Sequence, residues 1–413
     1  MITAAALEPT GRWSQLAALS AAVLLVLGTW FSGSAVSASL RQEWGIDAIG
    51  VASLTVAVQL GFAAGALALA ALGVPDVLPA RWLIAVGAVV ATLANAGFAL
   101  LATDLVSALP FRFLTGVGIA AVYPVAMKVL SGWFRAGRGL AVGTLTGAIT
   151  IGSALPHLLR AGGSAFQADW QAVVLVASIG SGIGALIAAL AVTDGPFTVP
   201  AARFSPAVAR AALREPSVRL ANFGYLGHMW ELFAMWSWLP IFLATSLAAT
   251  GSADAAGASL IAFLVVATGA VGCVAAGALA DRFGRTAITM LAMAGSASSA
   301  VLTGLLFGAP AAILVAVTVV WSITVIADSA QFSTAISELA PPGTAGSALT
   351  IQTASGFMLT AITIWGVSLV NPADAGGWRL AFAVLAIGPA LGIWAMWRLR
   401  HRPDAERMAN GHR

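Results

Sequence analysis

The sequence has little charge for its length. Only 9% of its 413 residues are Asp, Glu, Lys or Arg, whereas a soluble domain carries roughly 25%. Hydrophobic residues make up 60% of the chain, and a soluble core cannot bury that share because surface area grows nearly as fast as mass. The low charge therefore excludes an ordinary soluble domain and indicates a chain that is solvated largely by lipid.

Cysteine, clustered charge and catalytic motifs are also scarce. The one cysteine, Cys273, lies in an apolar stretch, which excludes an intrachain disulfide and a cysteine-rich zinc site. The basic residues are scattered singly, so the net charge of +4 does not indicate a nucleic-acid partner. There is no G-x-x-x-x-G-K-[ST] run for ATP and no H-E-x-x-H, and the acidic residues stand alone. We therefore expect no metal, no cofactor and no enzymatic activity.

Long apolar runs separated by Gly, Pro or charge predict twelve transmembrane helices, each near the roughly 20 residues that cross a bilayer. The predicted spans are 14–40, 47–72, 82–103, 106–134, 139–161, 170–193, 219–246, 256–280, 286–308, 311–337, 345–370 and 378–399. The first run is treated as a span because it is longer than the apolar core of a cleavable signal. The longest polar interval, 194–218, separates six spans from six.

The two halves look related, which indicates an internal duplication. Trp170 and Trp378 stand about half a chain length apart, and each opens a Gly- and Ala-rich span after a polar loop. Parallel duplication of this kind is typical of several transporter folds. We therefore predict an all-α polytopic membrane protein with an N-terminal six-helix bundle in 1–193, a cytoplasmic linker in 194–218 and a C-terminal six-helix bundle in 219–413.

The distribution of basic residues predicts the orientation. Fifteen of the 20 lie on the side of the membrane that holds both termini, and three lie on the other side. Because Arg and Lys favour the cytoplasmic side, we expect both termini in the cytoplasm and the protein in the inner or plasma membrane. We expect it to be a monomer.

Three motifs carry a resemblance to a known family. Residues 277–285 read G-A-L-A-D-R-F-G-R, residues 112–118 read R-F-L-T-G-V-G, and the loop 133–139 contains W-F and R-G. These segments resemble the motifs of the major facilitator superfamily, over nearly the whole chain. The resemblance implies that family's fold and secondary-active transport by alternating access. It also implies a cytoplasmic gate formed by Gly277, Asp281, Arg282, Gly284 and Arg285.

The sequence departs from the family pattern in two places. The loop between spans two and three has Leu69 where the family usually has Asp, and only the displaced Asp76 and Arg81 follow. Span five lacks the full antiporter motif of the family. The direction of transport and the gating role of that first loop therefore stay open.

Ionisable residues inside spans are costly and usually mark a functional pathway. Six qualify: Arg112, Lys128, His157, His228, Glu231 and Asp328. Glu231 would lie ~18 Å deep in span seven, with His228 three residues earlier on the same face. This pair can bind and release a proton, or it can fasten the helix to a neighbour. Arg112 can bind a substrate carboxylate, or it can pair with groups of the protein itself.

Other polar and aromatic side chains share faces with these groups and are candidates for lining the cavity. They are Tyr123, Trp30, Trp238, Trp321, Gln331 and Gln352. Because cationic and His side chains outnumber acids within the spans, we expect a small organic anion moved together with protons. The alternative is proton-driven efflux of amphipathic drugs. A channel or sensor, or a membrane-embedded enzyme, is the alternative of another class. The expected partners are the small-molecule substrate, protons and the lipid bilayer.

Overall fold

A computed structural model describes residues 9–134, 137–165, 168–198, 204–370 and 374–413. Within these ranges the chain is helical, with no strand. Among the described residues, eleven helical segments, three of them made of two consecutive helices, are long and apolar enough to cross a membrane, and Arg12–Leu27 is a shorter apolar helix. This confirms the predicted all-α fold class. The first of the predicted spans is shorter as a helix than the sequence suggested.

The helices follow in two series. Up to residue 198, here called the N-terminal half, they are α1 (Arg12–Leu27), α2 (Ser32–Ala35), α3 (Ser37–Trp44), α4 (Ala48–Ala71), α5 (Val74–Val77), α6 (Ala80–Leu101), α7 (Leu105–Ala120), α8 (Tyr123–Trp133), α9 (Arg138–Ala165) and α10 (Trp170–Ala191). From residue 204, here called the C-terminal half, they are α11 (Pro206–Arg214), α12 (Pro216–Ala249), α13 (Ala255–Phe283), α14 (Arg285–Leu305), α15 (Ala311–Ala327), α16 (Ser329–Leu339), α17 (Ala345–Val370), α18 (Ala375–Leu385) and α19 (Ile387–Arg400). Two 3-10 turns, Pro403–Arg407 and Ala409–Gly411, follow α19.

Four predicted spans are interrupted. The interruptions lie at 28–31 between α1 and α2 and at Val36 between α2 and α3, both in span one, at 121–122 between α7 and α8, at Asp328 between α15 and α16, and at Ala386 between α18 and α19. The interruption at 121–122 has a simple cause. Pro124 cannot donate a backbone hydrogen bond and therefore stands in the first turn of a new helix. Spans four, ten and twelve still cross as single segments, Leu105–Trp133, Ala311–Leu339 and Ala375–Arg400.

The two halves meet along α9 and α13 and along α4 and α17. Where α9 meets α13, a Cβ added to Gly139 would lie 2.7 Å from the carbonyl oxygen of Gly277, and a Cβ added to Gly143 would lie 2.7 Å from the carbonyl oxygen of Cys273. The two backbones therefore touch directly. In lipid, where apolar side chains gain nothing by leaving the solvent, small residues allow this close van der Waals packing.

The linker between the halves contains one short helix. The amphipathic α11 packs against α17 and α12, and Ser205 caps its first turn by accepting the N–H of Val208. Residues 199–203 of the predicted linker lie outside the described residues. The division into bundles 1–193 and 219–413 stays a prediction.

The segment after α19 folds back against the C-terminal half. Ala405 and Met408 are buried, and the N–H of Ala409 donates to Oε2 of Glu338 over 3.3 Å. Gly284 has a φ of 95°, and the carbonyls of this segment occupy the place where its side chain would stand. The segment therefore packs on the loop that carries the family motif.

Candidate substrate and proton site

Aromatic side chains of both halves meet at the middle of the molecule. The Trp30 ring lies 5.2 Å from Phe62, 5.4 Å from Phe233 and 5.6 Å from Phe357, measured between centroids. Phe62 and Phe357 are 4.2 Å apart. Trp30 and Phe62 belong to the N-terminal half and the other two to the C-terminal half. We call these four residues the aromatic layer.

Buried polar groups without a protein partner adjoin this layer. Both amide atoms of Gln59, both amide atoms of Gln352 and the indole N–H of Trp30 form no hydrogen bond with the protein. Burying such a group unpaired costs about 1–3 kcal/mol. These groups therefore form a set of donors and acceptors that a bound solute can satisfy.

The two glutamines lie on opposite sides of the aromatic layer. The antiparallel helices α4 and α17 contact each other through Phe62 and Phe357 and, further along, through a 3.1 Å hydrogen bond from Trp365 to Ser53. Gln59 precedes Phe62 by three residues, which places it toward the start of α4. Gln352 precedes Phe357 by five residues, which places it toward the start of α17, at the opposite membrane surface. The layer thus separates two polar positions along the path between the halves.

Arg112 is buried inside the N-terminal half and does not face a cleft shared by the halves. Its Nη1 donates to the carbonyl of Thr29 (3.1 Å), the hydroxyl of Ser32 (3.0 Å) and Oδ1 of Asn95 (2.8 Å). Its Nη2 donates to the carbonyl of Trp30. These acceptors include carbonyls at the interrupted end of α1, where the helix dipole favours a cation. Arg112 therefore binds the backbone at Trp30, and these contacts correspond to the second of its two expected roles, pairing with groups of the protein itself.

Glu231 is likewise held within one half. It accepts hydrogen bonds from the hydroxyl of Ser296 (2.8 Å) and from the indole N–H of Trp321 (2.7 Å), both in the C-terminal half. The residue is 1% exposed. Because both donors are neutral, no cation among the described residues compensates the charge of this carboxylate. Proton uptake is the direct way to remove that charge in the membrane interior.

His228 pairs with Asp328 rather than with Glu231. Nδ1 of His228 lies 2.8 Å from Oδ1 of Asp328, an ion-pair distance, although the two atoms do not align as a hydrogen bond. The other ring nitrogen, Nε2, has no hydrogen-bond partner. Asp328 stands at the interruption between α15 and α16. Three ionisable side chains therefore occupy the interior of the C-terminal half, and one ring nitrogen among them has no hydrogen-bond partner.

Three further predicted residues lie in the N-terminal half, and two of them, Lys128 and Tyr123, are near the interface. Lys128 donates to the carbonyl of Pro75 over 2.9 Å and lines a crevice of about 320 Å³ between α4, α8 and α17. Tyr123 stacks on Phe62 at 6.5 Å and so extends the aromatic layer. His157 is buried in α9, at 4% exposure.

The remaining predicted residues serve the packing of the C-terminal half. The indole of Trp238 donates to the carbonyl of Ile364 over 3.1 Å. Gln331 accepts a 2.9 Å hydrogen bond from Nη1 of Arg285, which places its amide in the network of the family motif rather than beside Trp321. The predicted site residues therefore fall mainly into four sets. One lies at the aromatic layer, one is the network of Arg112, one surrounds Glu231 and His228, and the last is the family motif.

The family motif forms a charged network at the ends of α13 and α14. Arg285 donates two 2.7 Å hydrogen bonds to Glu338 and lies 3.5 Å from Asp281. The guanidinium of Arg282 lies over the ring of its neighbour Phe283. A Cβ added to Gly139 would be 2.8 Å from Oδ2 of Asp281, so this carboxylate lies against the first turn of α9 in the other half.

Sequence reasoning missed several of these residues. Glu338 lies one residue beyond the predicted end of span ten, outside the spans whose ionisable residues indicate a site. Gln59 is the sole amide in an apolar run, and that contrast with its neighbours could have drawn attention to it. Phe62, Phe233 and Phe357 give no signal, because buried phenylalanines are common throughout such spans.

Comparison with known proteins identifies the family. The sequence profile of the Major Facilitator Superfamily matches residues 18–367. No curated protein sequence matches significantly.

Solved transporter structures share the fold at low sequence identity. A D-xylose-proton symporter has a TM-score of 0.74 at 16% identity, with 96% of this chain and 99% of that chain covered. The nucleoside transporter NupG has a TM-score of 0.71 at 15% identity, covering 94% and 99%. A bacterial homolog of the human lysosomal transporter Spinster, inward-facing and occupied, has 0.71 at 14%, covering 95% and 97%. The profile match over most of the chain, on a structure of membrane-spanning helices, shows that this multi-pass membrane protein belongs to the major facilitator superfamily.

Proposed function

We propose that the chain is a secondary transporter that carries a small, neutral, polar solute across the inner membrane by alternating access. One observation carries the proposal: both halves contribute to an aromatic layer that adjoins buried amide and indole groups without protein partners. A solute that enters from one side would stack on the rings and satisfy the amide on that side, and after the layer parts it would meet the amide on the other side. Separation of the halves on one side and then on the other would release it.

The contacts favour a neutral solute over the organic anion that the sequence suggested. The unpartnered groups are the amides of Gln59 and Gln352 and the indole of Trp30, all uncharged. The cations Arg112 and Lys128 already donate to oxygen atoms of the N-terminal half. Amides both donate and accept, and therefore suit hydroxyl groups. The names of the xylose symporter and the nucleoside transporter refer to hydroxylated, uncharged solutes of this kind.

We further propose that protons drive the cycle through the C-terminal half, with both termini in the cytoplasm. Glu231, His228 and Asp328 lie within its interior. A proton on Glu231 would weaken the charge-assisted bond from Trp321 on α15 and so alter the packing of α12 against α15. The direction of solute movement follows from whether the proton enters with the solute or against it.

Efflux of amphipathic drugs is the second candidate, because the aromatic layer would also bind a flat apolar molecule. A thermal-shift screen of the purified protein separates these classes, since a ligand that binds the folded state raises its melting temperature. We expect pentoses, hexoses or nucleosides to stabilise the protein. Stabilisation by carboxylates alone, or by cationic drugs alone, would contradict the proposed substrate class.

Proteoliposome counterflow then tests the site. Replacing the amide, Gln59→Leu, removes two hydrogen-bonding atoms at nearly constant volume and should weaken solute binding by about tenfold. Gln42→Leu makes the same chemical change at an exposed position of α3 and should leave binding unchanged. Equal counterflow in both variants and the wild type would remove Gln59 from the site. Flux without trans-stimulation would indicate a channel.

A further inference from the structure

A groove follows the outer surface of the C-terminal half between α12 and α19. Its floor is formed where the helices touch, because a Cβ added to Gly227 would lie 2.5 Å from the carbonyl oxygen of Gly388. Above this floor is an apolar cavity of about 350 Å³, whose walls include Trp230, Leu391 and Trp394. Leu391 is 63% exposed and Trp394 53% exposed. In a membrane, these side chains would be exposed to lipid.

The groove continues into a basic cavity at the end of α19 that leads into the final segment. This cavity, of about 610 Å³, shares Phe223 and Trp394 with the apolar one. Four basic side chains line it: Arg219, Arg398, His401 and Arg402. Arg219 precedes Phe223 by four residues and Arg398 follows Trp394 by four, so each helix places an arginine one turn beyond an aromatic residue.

Two of these arginines carry charge that the protein does not neutralise. Arg402 is 3.2 Å from Asp404 and also donates to Ser217. Arg219 and Arg398 form no salt bridge within the described ranges, and the guanidinium of Arg398 lies 5.7 Å from the ring centroid of Trp394. The basic cavity therefore has a positive charge directly beside an apolar surface.

We propose that this groove binds an anionic phospholipid. The phosphate would lie between Arg219 and Arg398, since guanidinium groups bind phosphate oxygens in pairs. One acyl chain would follow α12 from Phe223 to Trp230. The eleven-residue distance from Arg219 to Trp230 spans about 16 Å, comparable with a large part of an extended acyl chain. Basic pockets between membrane helices on the cytoplasmic side bind anionic headgroups in this way.

The joined cavities favour a lipid over a soluble anion. Inorganic phosphate would occupy only the basic cavity and would leave the apolar walls of Trp230 and Leu391 uncovered. A phospholipid matches both cavities along the membrane normal. Its acyl chain would lie in the apolar cavity and its charged headgroup in the basic one. The inference does not depend on the identity of the transported solute.

Native mass spectrometry of the full-length protein tests the proposal. Wild-type protein should retain phosphatidylglycerol in preference to phosphatidylcholine. The double variant Arg219→Gln/Arg398→Gln should bind phosphatidylglycerol about thirtyfold more weakly, since each arginine near an anionic surface contributes about a factor of five to ten. Arg81→Gln is the matched control, because Arg81 is an exposed arginine that lies over the exposed Trp82 outside the groove.

A second variant tests the apolar part separately. Leu391→Trp fills the exposed apolar cavity and keeps both arginines, so it should also weaken phosphatidylglycerol binding, and it does not depend on the folding of the double variant. Equal retention of both lipids by the wild type would overturn the proposal. So would unchanged binding in both variants, or displacement of the lipid by soluble glycerol phosphate, which would indicate a site for the anion alone.

Discussion

The close contact between α9 and α13 can be opened by a single methyl group. In Gly143→Ala, the new Cβ would lie 2.7 Å from the carbonyl oxygen of Cys273 and 3.1 Å from the Cα of Val274. Heavy atoms pack favourably at about 3.5–4.0 Å, so the helices must move apart by roughly 0.5–1 Å. Overpacking of this kind costs about 1–3 kcal/mol. If only the state with the contact closed bears this cost, the open population rises about 5- to 150-fold.

The chain has its own reporter for this opening. Cys273 is the one cysteine of the sequence. It is 3% exposed and its sulfur lies 3.8 Å from the hydroxyl of Thr150 across the interface. A membrane-permeant maleimide should therefore alkylate it only when α9 and α13 separate. When opening is fast relative to alkylation, the rate follows the open population, so Gly143→Ala should raise the rate by a similar factor.

The matched control lies in the same helix. A Cβ added to Gly162 of α9 meets nothing within 4 Å, so Gly162→Ala has the same chemistry and no contact to break. We expect its alkylation rate to equal that of the wild type. Equal rates for Gly143→Ala and the wild type, or an equal rise in both variants, would refute the view that this backbone contact holds the halves together.

Three further changes address other parts of the structure. Glu231→Gln should abolish proton-driven accumulation in proteoliposomes and leave counterflow intact; normal accumulation would exclude this residue from coupling. Arg112→Gln leaves several buried acceptors unpaired and should lower the free energy of unfolding by at least about 3 kcal/mol, as measured by detergent titration; an unchanged value would contradict the network. The hydrogen bond from Ser217 and the contacts with Arg402 lower the pKa of Asp404 from 3.8. The ionised carboxylate of Asp404 therefore stabilises the folded state above pH 3.8, and this stabilisation is lost as the pH falls through the lower pKa of the folded state. Asp404→Asn should therefore reduce the melting temperature at pH 7, and the difference from the wild type should shrink toward pH 3; a constant difference would argue against this ionisation.

The spans and the family could be predicted because both depend on local sequence. Apolar runs have the length of a bilayer, and the motif at 277–285 is contiguous. The interruption at Pro124 also has a local cause. The interruption at Asp328 follows no proline or glycine, and its neighbours alone do not indicate it.

The partners of buried charges could not be predicted, because they lie on helices distant in sequence. His228 and Glu231 stand three residues apart, which suggested a pair, but packing turns one toward Asp328 and the other toward Ser296 and Trp321. Helical spacing shows which side chains share a face. It does not show which neighbouring helix each one meets.

The hydrogen bonds that hold Trp30 determine how the aromatic layer can open. Arg112 of α7 ties the backbone carbonyl of Trp30 to Asn95 of α6, and the Trp30 ring packs against the other three rings of the layer. The layer would then part only when the halves move as rigid units and several ring contacts break together. Each pair of rings is worth about 0.5–1.5 kcal/mol beyond its buried area. A cycle built on this arrangement would spend little time half open, which would limit leakage of protons along the solute path.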